Sequence, residues 1–378
     1  VNEWVKNKDV SVTILTCFPN FPQGKIYPGY KNKLIGIENH GKIKIIRVWS
    51  YIVRNKGKYR RILDHLSFCI TSTIVGIFLK VDVIVATSPQ FFTSFTAFFI
   101  SKIKKVPWIF EVRDLWPKSI ESLGVIKNRF ILRSLEKIEL FFYRQSSKIV
   151  VVTNSFKSNL VKRGILRSKI KVIKNGVDLT LFNERNNSAG NLLTDLKDKF
   201  VIGFIGTHGI SHGLEFIIKC IPFIKIKGIH FLFIGDGANR GSLIKLARDL
   251  KVKNITFLPQ VPRSEIPRYY NLINVALIPL KNLSIFKSVI PSKIFEACAM
   301  KKPILLGVQG EAKSLINNYF AGLTYMPENK EDFINKMQKL KDKKIYKKCQ
   351  EGAILLAKKH DRKFLARRML DIIKKVAQ

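Results

Sequence analysis

Short apolar runs rich in β-branched residues alternate with helix-length amphipathic segments along almost the whole chain. The runs predict strands over Val10–Thr16, Ile43–Trp49, Val81–Ala86, Trp108–Val112, Lys148–Thr153 and Lys171–Ile173. A second set follows at Val201–Ile205, His230–Ile234, Ile255–Leu258, Val275–Ile278, Ile304–Leu306 and Leu323–Tyr325. Helical patterns lie between many of them, as in Thr93–Lys104, Arg129–Arg144, Arg240–Leu250 and Arg263–Leu272. Strands that are apolar on both faces and joined by helices predict an α/β fold with parallel sheets covered on both sides. The polar gap Phe182–Lys199 parts the strands into two equal sets. Two doubly wound, Rossmann-like domains follow, at residues 1–182 and 183–355, and a basic helix at 356–378 is expected to pack back on the first. Such sheets bind ligands at the carboxyl ends of their strands, so two of them facing each other would form a cleft. The opening, VNEWVKNKDV, reads as the end of a helix running into the first strand. Either the start is unusual or the chain lacks roughly 20–30 residues, the size of a strand–loop–helix opening.

Composition narrows the partners. The 378 residues hold 67 Lys and Arg against 27 Asp and Glu, a formal charge of +40. That excess implies anionic partners or compositional drift toward lysine. The basic residues are not interleaved with aromatics as in a nucleic-acid reader, so no nucleic-acid partner is expected. The 5 cysteines show no pairing pattern, and no leader segment is visible, which fits a reducing compartment. The most hydrophobic stretch, Leu66–Leu79, is too short to span a bilayer and suits a buried or interfacial helix.

The stretch most suggestive of chemistry is IPSKIFEACAMKKPILLGVQG, Ile290–Gly310. It predicts a short helix feeding a buried strand. Pro291 fits a first turn, Ser292 can cap it, and Pro303 stops it. A helix N-terminus offers unpaired N–H groups to phosphate. Glu296 lies about one turn in and leans back toward that end. Its carboxylate can accept two hydrogen bonds, as a ribose diol requires. A solvated Glu on a surface helix fits the same residues.

Three further clusters follow strands. Gly206-Thr-His-Gly-Ile-Ser-His-Gly213 has the glycines that let backbone approach a phosphate. In it Gly206, Gly209, His208 and His212 are candidate anion contacts; the two histidines lack an obvious third metal ligand, and no metal is expected. A plain strand–helix turn is the other reading. Gly235 opens a similar turn, more simply read as structural. Arg113 and Asp114, at the end of Trp108–Val112, point to the carboxyl side of their sheet. Asp114 could orient an acceptor hydroxyl or a donor sugar, or the two could simply pair. There is no phosphate-binding GKT or GKS, no HExxH and no Ser–His–Asp or Cys–His set.

Taken in order, IKNGVDLTLF, GTHGISHGLEF, FIGDGANR, FLPQVPRSEIPRYYNLINVALIPL, PSKIFEACAMKKPIL and GVQGEAKSLI resemble the family 4 glycosyltransferases of the GT-B fold. Upstream, TCFPNFPQGKIYPGY and FEVRDLWPKSI are similar to the branch that builds bacterial O-antigens and capsules, nearest to the WbuB-like L-fucosamine transferases. The resemblance implies a retaining, metal-independent transfer from a UDP-sugar co-substrate, with no other cofactor. The sugar suggested is N-acetyl-L-fucosamine, and the acceptor an undecaprenyl-diphosphate-linked sugar. It implies a cytoplasmic protein peripheral at the inner face of the plasma membrane, held to an anionic membrane surface. Glu296 matches the second glutamate of the family's Glu-x7-Glu motif, the ribose ligand, while Ser288 stands at the first. Thr207 and His212 stand where many members carry an Arg and a Lys against the diphosphate, and Lys293 is placed to replace some of that charge. Arg113 and Asp114 match the region near the reacting sugar. A GT-B-fold sugar-nucleotide epimerase and an inactive, N-terminally truncated glycosyltransferase are the alternatives.

Overall fold

The computed structural model describes residues 1–20, 24–53, 58–88, 91–117, 121, 128–183 and 193–378. Of the expected polar gap, residues 184–192 lie outside the described residues. The chain forms two compact units. One comprises Val1–Val152, Phe156–Ile173 and Ala366–Gln378; the other comprises Thr153–Ser155 and Lys174–Leu365.

The first unit opens with β1 (Val12–Cys17), β2 (Ile35–His40) and β3 (Ile43–Val48), in the order β1-β3-β2. β1 runs parallel to β3, with Val12 opposite Ile43, and β2 runs antiparallel to it. Sequence patterning passes over β2 because half of it faces water, with Ile35 and Ile37 exposed. A tight turn joins β2 to β3, and Gly41 supplies its positive φ of 59°. A second, wholly parallel sheet holds β4 (Ile84–Thr87), β5 (Trp108–Val112), β6 (Lys148–Val151) and β7 (Ile170–Val172), in that order. The strands expected to share one sheet are thus divided between two. Among the described residues, helices α1 (Lys58–Ile77), α2 (Phe92–Lys104), α3 (Arg129–Gln145) and α4 (Asn154–Lys162) accompany them. Asn128 caps α3, its Oδ1 accepting from the N–H groups of Phe130 and Ile131. Glu139 of α3 is buried and takes hydrogen bonds from Tyr143 (2.7 Å) and Arg163 (2.5 Å).

The second unit is a single parallel sheet ordered β10-β9-β8-β11-β12-β13. Its strands are β8 (Phe200–Ile205), β9 (Ile229–Ile234), β10 (Ile255–Leu258), β11 (Val275–Pro279), β12 (Ile304–Gly307) and β13 (Gly322–Thr324). β9, β11 and β12 are buried on both faces, which is why they read as unbroken apolar runs. The chain winds outward from β8 to β9 and β10, then returns to place β11 on the other side of β8. The carboxyl ends of β8 and β11 therefore flank the point where strand order reverses, the place such sheets leave a crevice. Helices α5 (Leu214–Cys220), α6 (Arg240–Asp249), α7 (Ile266–Asn271), α8 (Lys293–Ala299), α9 (Glu311–Tyr319), α10 (Lys330–Lys339) and α11 (Lys343–Lys359) accompany the sheet. The last helix, α12 (Arg362–Ala377), begins in this unit. Its later residues Met369, Ile372, Ile373 and Val376 cluster with Ile109, Val150 and Trp4 of the first.

Candidate functional site

A cavity of about 530 Å³ opens at the reversal point of the second unit's sheet. Gly206, Thr207, Ser211 and His212 reach it from the loop after β8, Leu280 from the end of β11, and Ser292, Lys293 and Glu296 from α8 and the turn before it. Arg263 and Ile266 close another side. The size suits a nucleotide or a small sugar.

Two glycines give this wall its shape. Gly206 holds φ at 142°, and a Cβ there would lie 2.7 Å from Lys293 Nζ. Gly235, also at 142°, would place a Cβ 2.0 Å from the carbonyl oxygen of Gly206. Both hold a φ that side chains rarely adopt, and a Cβ at Gly235 would strike the Gly206 backbone, so the loop after β9 packs directly on the backbone of the loop after β8. The His208 N–H donates to Asp236 O (2.9 Å), and the Asn239 N–H to His208 O (3.0 Å), which locks them together. Gly209, by contrast, is extended at φ −98°, a conformation any residue adopts. Gly235 supports the cavity from behind without lining it.

The two histidines separate. His212 lines the cavity and packs edge-on against Phe204. His208 is fully buried, tilted against Phe204 and edge-on to Phe233 and Phe257, and is not among the cavity's lining residues. Burial lowers both rings, His208 to about 4, helped by Arg240 and Lys293, and His212 to about 3, helped by Lys293. Both rings are therefore held in the neutral form near pH 7. Among the described residues no group of three His, Cys, Asp or Glu is placed to hold a metal ion.

Lys293 carries the site's most unusual electrostatics. Its Nζ is shut off from water, has no hydrogen-bond partner and sits 3.9 Å over the Phe204 ring. The residue as a whole is only partly covered, so it is the ammonium itself that is sequestered. Burial lowers its pKa from 10.5 to about 7, with nearby Glu296 pulling the other way. Glu296 is not a solvated surface glutamate. Its side chain is 14% exposed, and Oε1 lies 3.0 Å from Arg263 Nη2. Burial raises its pKa, and Arg263 opposes the rise.

Sequence patterning misses Arg263 as a site residue because the helical period extends back to it. In the structure α7 begins at Ile266, so Arg263 sits before the helix, its guanidinium 5.7 Å over the Phe182 ring and against Glu296. Ser292 precedes α8 in helical conformation and makes no side-chain capping bond, which corrects its expected capping role. Ser288, in the place of the motif's first glutamate, donates its hydroxyl to Ile285 O (2.8 Å) within its own turn. Arg113 and Asp114 belong to the first unit, just past β5. Arg113 is exposed and Asp114 partly buried, and the N–H of Arg113 donates to Ser88 Oγ (2.8 Å).

Comparison with known proteins bears on this arrangement. Residues 193–355 match the family described as glycosyl transferases group 1, and residues 3–181 match glycosyltransferase family 4. A teichuronic acid biosynthesis glycosyltransferase of Bacillus subtilis, TuaH, is 24% identical over 198 residues, 52% of this chain and 49% of its own. The probable glycosyltransferase WbjE of Pseudomonas aeruginosa is 28% identical over 202 residues, 52% of this chain and 50% of its own. The match thus spans about half the length of those two relatives. Among solved structures, sucrose-phosphate synthase from Thermosynechococcus elongatus superposes with a TM-score of 0.76 at 14% identity, over 99% of this chain and 91% of the other. Anabaena Alr3699/HepE, in complex with UDP and glucose, gives 0.72 at 12% identity, over 97% of this chain and 100% of the other. These likenesses show the fold: GT-B, with two Rossmann-like domains.

Proposed function

From the premise that the chain belongs to the group 1, family 4 glycosyltransferases, we propose that the cavity of the second unit holds the UDP portion of a nucleotide-sugar donor. The observation that carries this reading is the sequestered Lys293 ammonium beside the Glu296–Arg263 pair. A buried cation with no partner is costly and is satisfied by an anion. The diphosphate would lie against Lys293 and the Gly206 loop, and Glu296 would accept from the ribose hydroxyls, oriented by Arg263. HepE is described with UDP and glucose, which supports a UDP-sugar as the donor class.

The reaction is a transfer with retention, in a bacterial polysaccharide pathway of the kind served by TuaH. The bond between the sugar and the diphosphate breaks, the acceptor oxygen bonds to the same sugar carbon, and the leaving phosphate takes the acceptor's proton. The protein contributes charge stabilisation on that phosphate, a role assigned here to Lys293. Asp114 and Arg113 are assigned to the acceptor side. On the motif resemblance alone, the sugar is assigned to the N-acetyl-6-deoxyhexosamines, N-acetyl-L-fucosamine first. The acceptor is an undecaprenyl-diphosphate-linked sugar, met by a protein peripheral at the inner face of the membrane.

The test is calorimetric titration with UDP and UDP-N-acetylhexosamines. Wild type should bind, and Glu296→Gln should lose about 1.5–3 kcal/mol, since a charge-assisted hydrogen bond becomes a neutral one. Unchanged affinity in Glu296→Gln would remove it from the site.

A further inference from the structure

The helix α1 shows water an apolar stripe. Tyr59, Ile62, Leu63, Leu66, Ile70 and Ile74 are all at least 40% exposed, and Phe78, just beyond the helix, is 82% exposed. Ile62, Leu66, Ile70 and Ile74 recur every fourth residue, so they share one face along nearly the whole helix. The opposite face is already committed to the interior. Phe68, Cys69 and Ser72 are buried, Ser72 Oγ lies 3.0 Å from Thr96 Oγ1 of α2, and Gly76 is packed against Ile100 and Leu15. A surface helix of a globular domain ordinarily turns its polar side outward, so a stripe of this length is a docking face.

Charge says what it docks on. Arg60 and Arg61 are exposed at the start of α1 and Lys80 just past its end. Lys102 and Lys105 are exposed near the end of α2, where Lys104 Nζ donates to Ile77 O (2.9 Å). Across residues 58–105 the only acids are Asp64 and Asp82. Both ends of the stripe are therefore basic. A second copy laid along it, parallel or antiparallel, would set cation against cation at each end. A sheet of anionic headgroups over an apolar layer complements both features at once. No helix among the described residues is long and apolar enough to cross a membrane, so α1 would lie along the surface.

We propose that α1 is an in-plane membrane anchor. Its stripe enters the apolar layer of an anionic leaflet, while Arg60, Arg61 and Lys80 meet phosphate headgroups. The inference rests on the peripheral-membrane part of the function proposed above and deepens it by naming the surface. The experiment is flotation of the full chain with vesicles of phosphatidylcholine alone or mixed with phosphatidylglycerol, at low and high salt. Wild type should float with the anionic vesicles and leave them as salt rises. Ile62→Ser/Ile70→Ser/Ile74→Ser should reduce partitioning by at least about tenfold at each salt concentration where wild type floats. Arg60→Gln/Arg61→Gln/Lys80→Gln should reduce it mainly at low salt, by about fivefold per charge. All six positions are exposed, so the thermal midpoint should hold. Undiminished binding by the triple Ser variant overturns the proposal. So does a wild-type dimer that the same variant converts to monomer, which would give the stripe to a second copy. UDP-sugar binding is read in parallel: its absence from wild type counts against the donor cavity and not against the stripe.

Discussion

Replacing Lys293 by Met should stabilise the empty protein and cripple the donor site, with both effects following pH. The lysine's pKa falls from 10.5 in the unfolded chain to about 7 in the fold. At roughly 1.4 kcal/mol per unit, keeping that ammonium charged inside the fold costs on the order of 5 kcal/mol. The folded value is the lower one, so between about pH 7 and 10.5 the unfolded chain holds a proton that the folded chain does not, and wild-type stability rises with pH through that window. Below about pH 7 both states are protonated and the full cost is present. Met fills similar space without charge, so Lys293→Met should gain most near about pH 6 and progressively less toward about pH 10. Urea unfolding of both proteins across that range measures the difference. Donor binding should run the other way. A UDP-sugar keeps its diphosphate charge throughout, and His208 and His212, at about 4 and 3, are already neutral. Wild-type affinity should therefore be flat just below pH 7 and weaken by up to about tenfold per pH unit above it, as Lys293 must capture a proton to meet the anion. The Met variant should bind weakly with no such slope. A flat wild-type affinity up to about pH 9, or no stabilisation of Lys293→Met at about pH 6, would refute the reasoning.

Other perturbations are simpler. Arg263→Gln should weaken UDP-sugar binding and raise the Glu296 pKa further, because it removes the cation that opposes burial; a pH titration of affinity on the acid side reads the shift. Gly235→Ala forces a Cβ against Gly206 O and a strained φ, so a loss of about 1–3 kcal/mol in unfolding is expected, together with reduced donor affinity. Asp114→Asn should lower turnover while leaving UDP-sugar affinity within about twofold, as measured by kinetics beside calorimetry. Arg163→Met strands the buried Glu139 carboxylate with Tyr143 alone, and should cost about 3–5 kcal/mol near neutral pH, shrinking as acid protonates the glutamate.

The second unit was legible strand by strand because its core strands are covered on both faces, so burial and sequence carry the same signal. β9, for instance, is apolar apart from His230 and buried throughout. β2 was illegible for the converse reason. Gly36, Glu38, Asn39 and His40 give it a polar, broken pattern, and its pairing with β3 supplies a partner that no local period reveals. The division of the first unit's strands into two sheets is likewise a matter of long-range pairing, on which strand propensity is silent.

The candidate site divides in the same way. Gly206 and Gly235 are visible as glycines after strands, but what a side chain at Gly235 would strike, the Gly206 carbonyl, belongs to another loop that only the fold brings near. His208 and His212 sit four apart in sequence and looked equivalent, yet only His212 faces the cavity, because the loop turns His208 inward onto Phe233 and Phe257. Lys293 is singled out in the sequence by its place beside the start of a helix, as a stand-in for cations that the loop lacks, and its chemistry is set by Phe204, far away in sequence, which covers its ammonium. A residue's identity thus gave the kind of group available, while its ionisation state came from neighbours brought in by strand order. That order is what puts β8 beside β11 and both beside α8. The loop after β8, Gly206 to Gly213, holds no Lys or Arg of its own, and Lys293 lines the same cavity from α8.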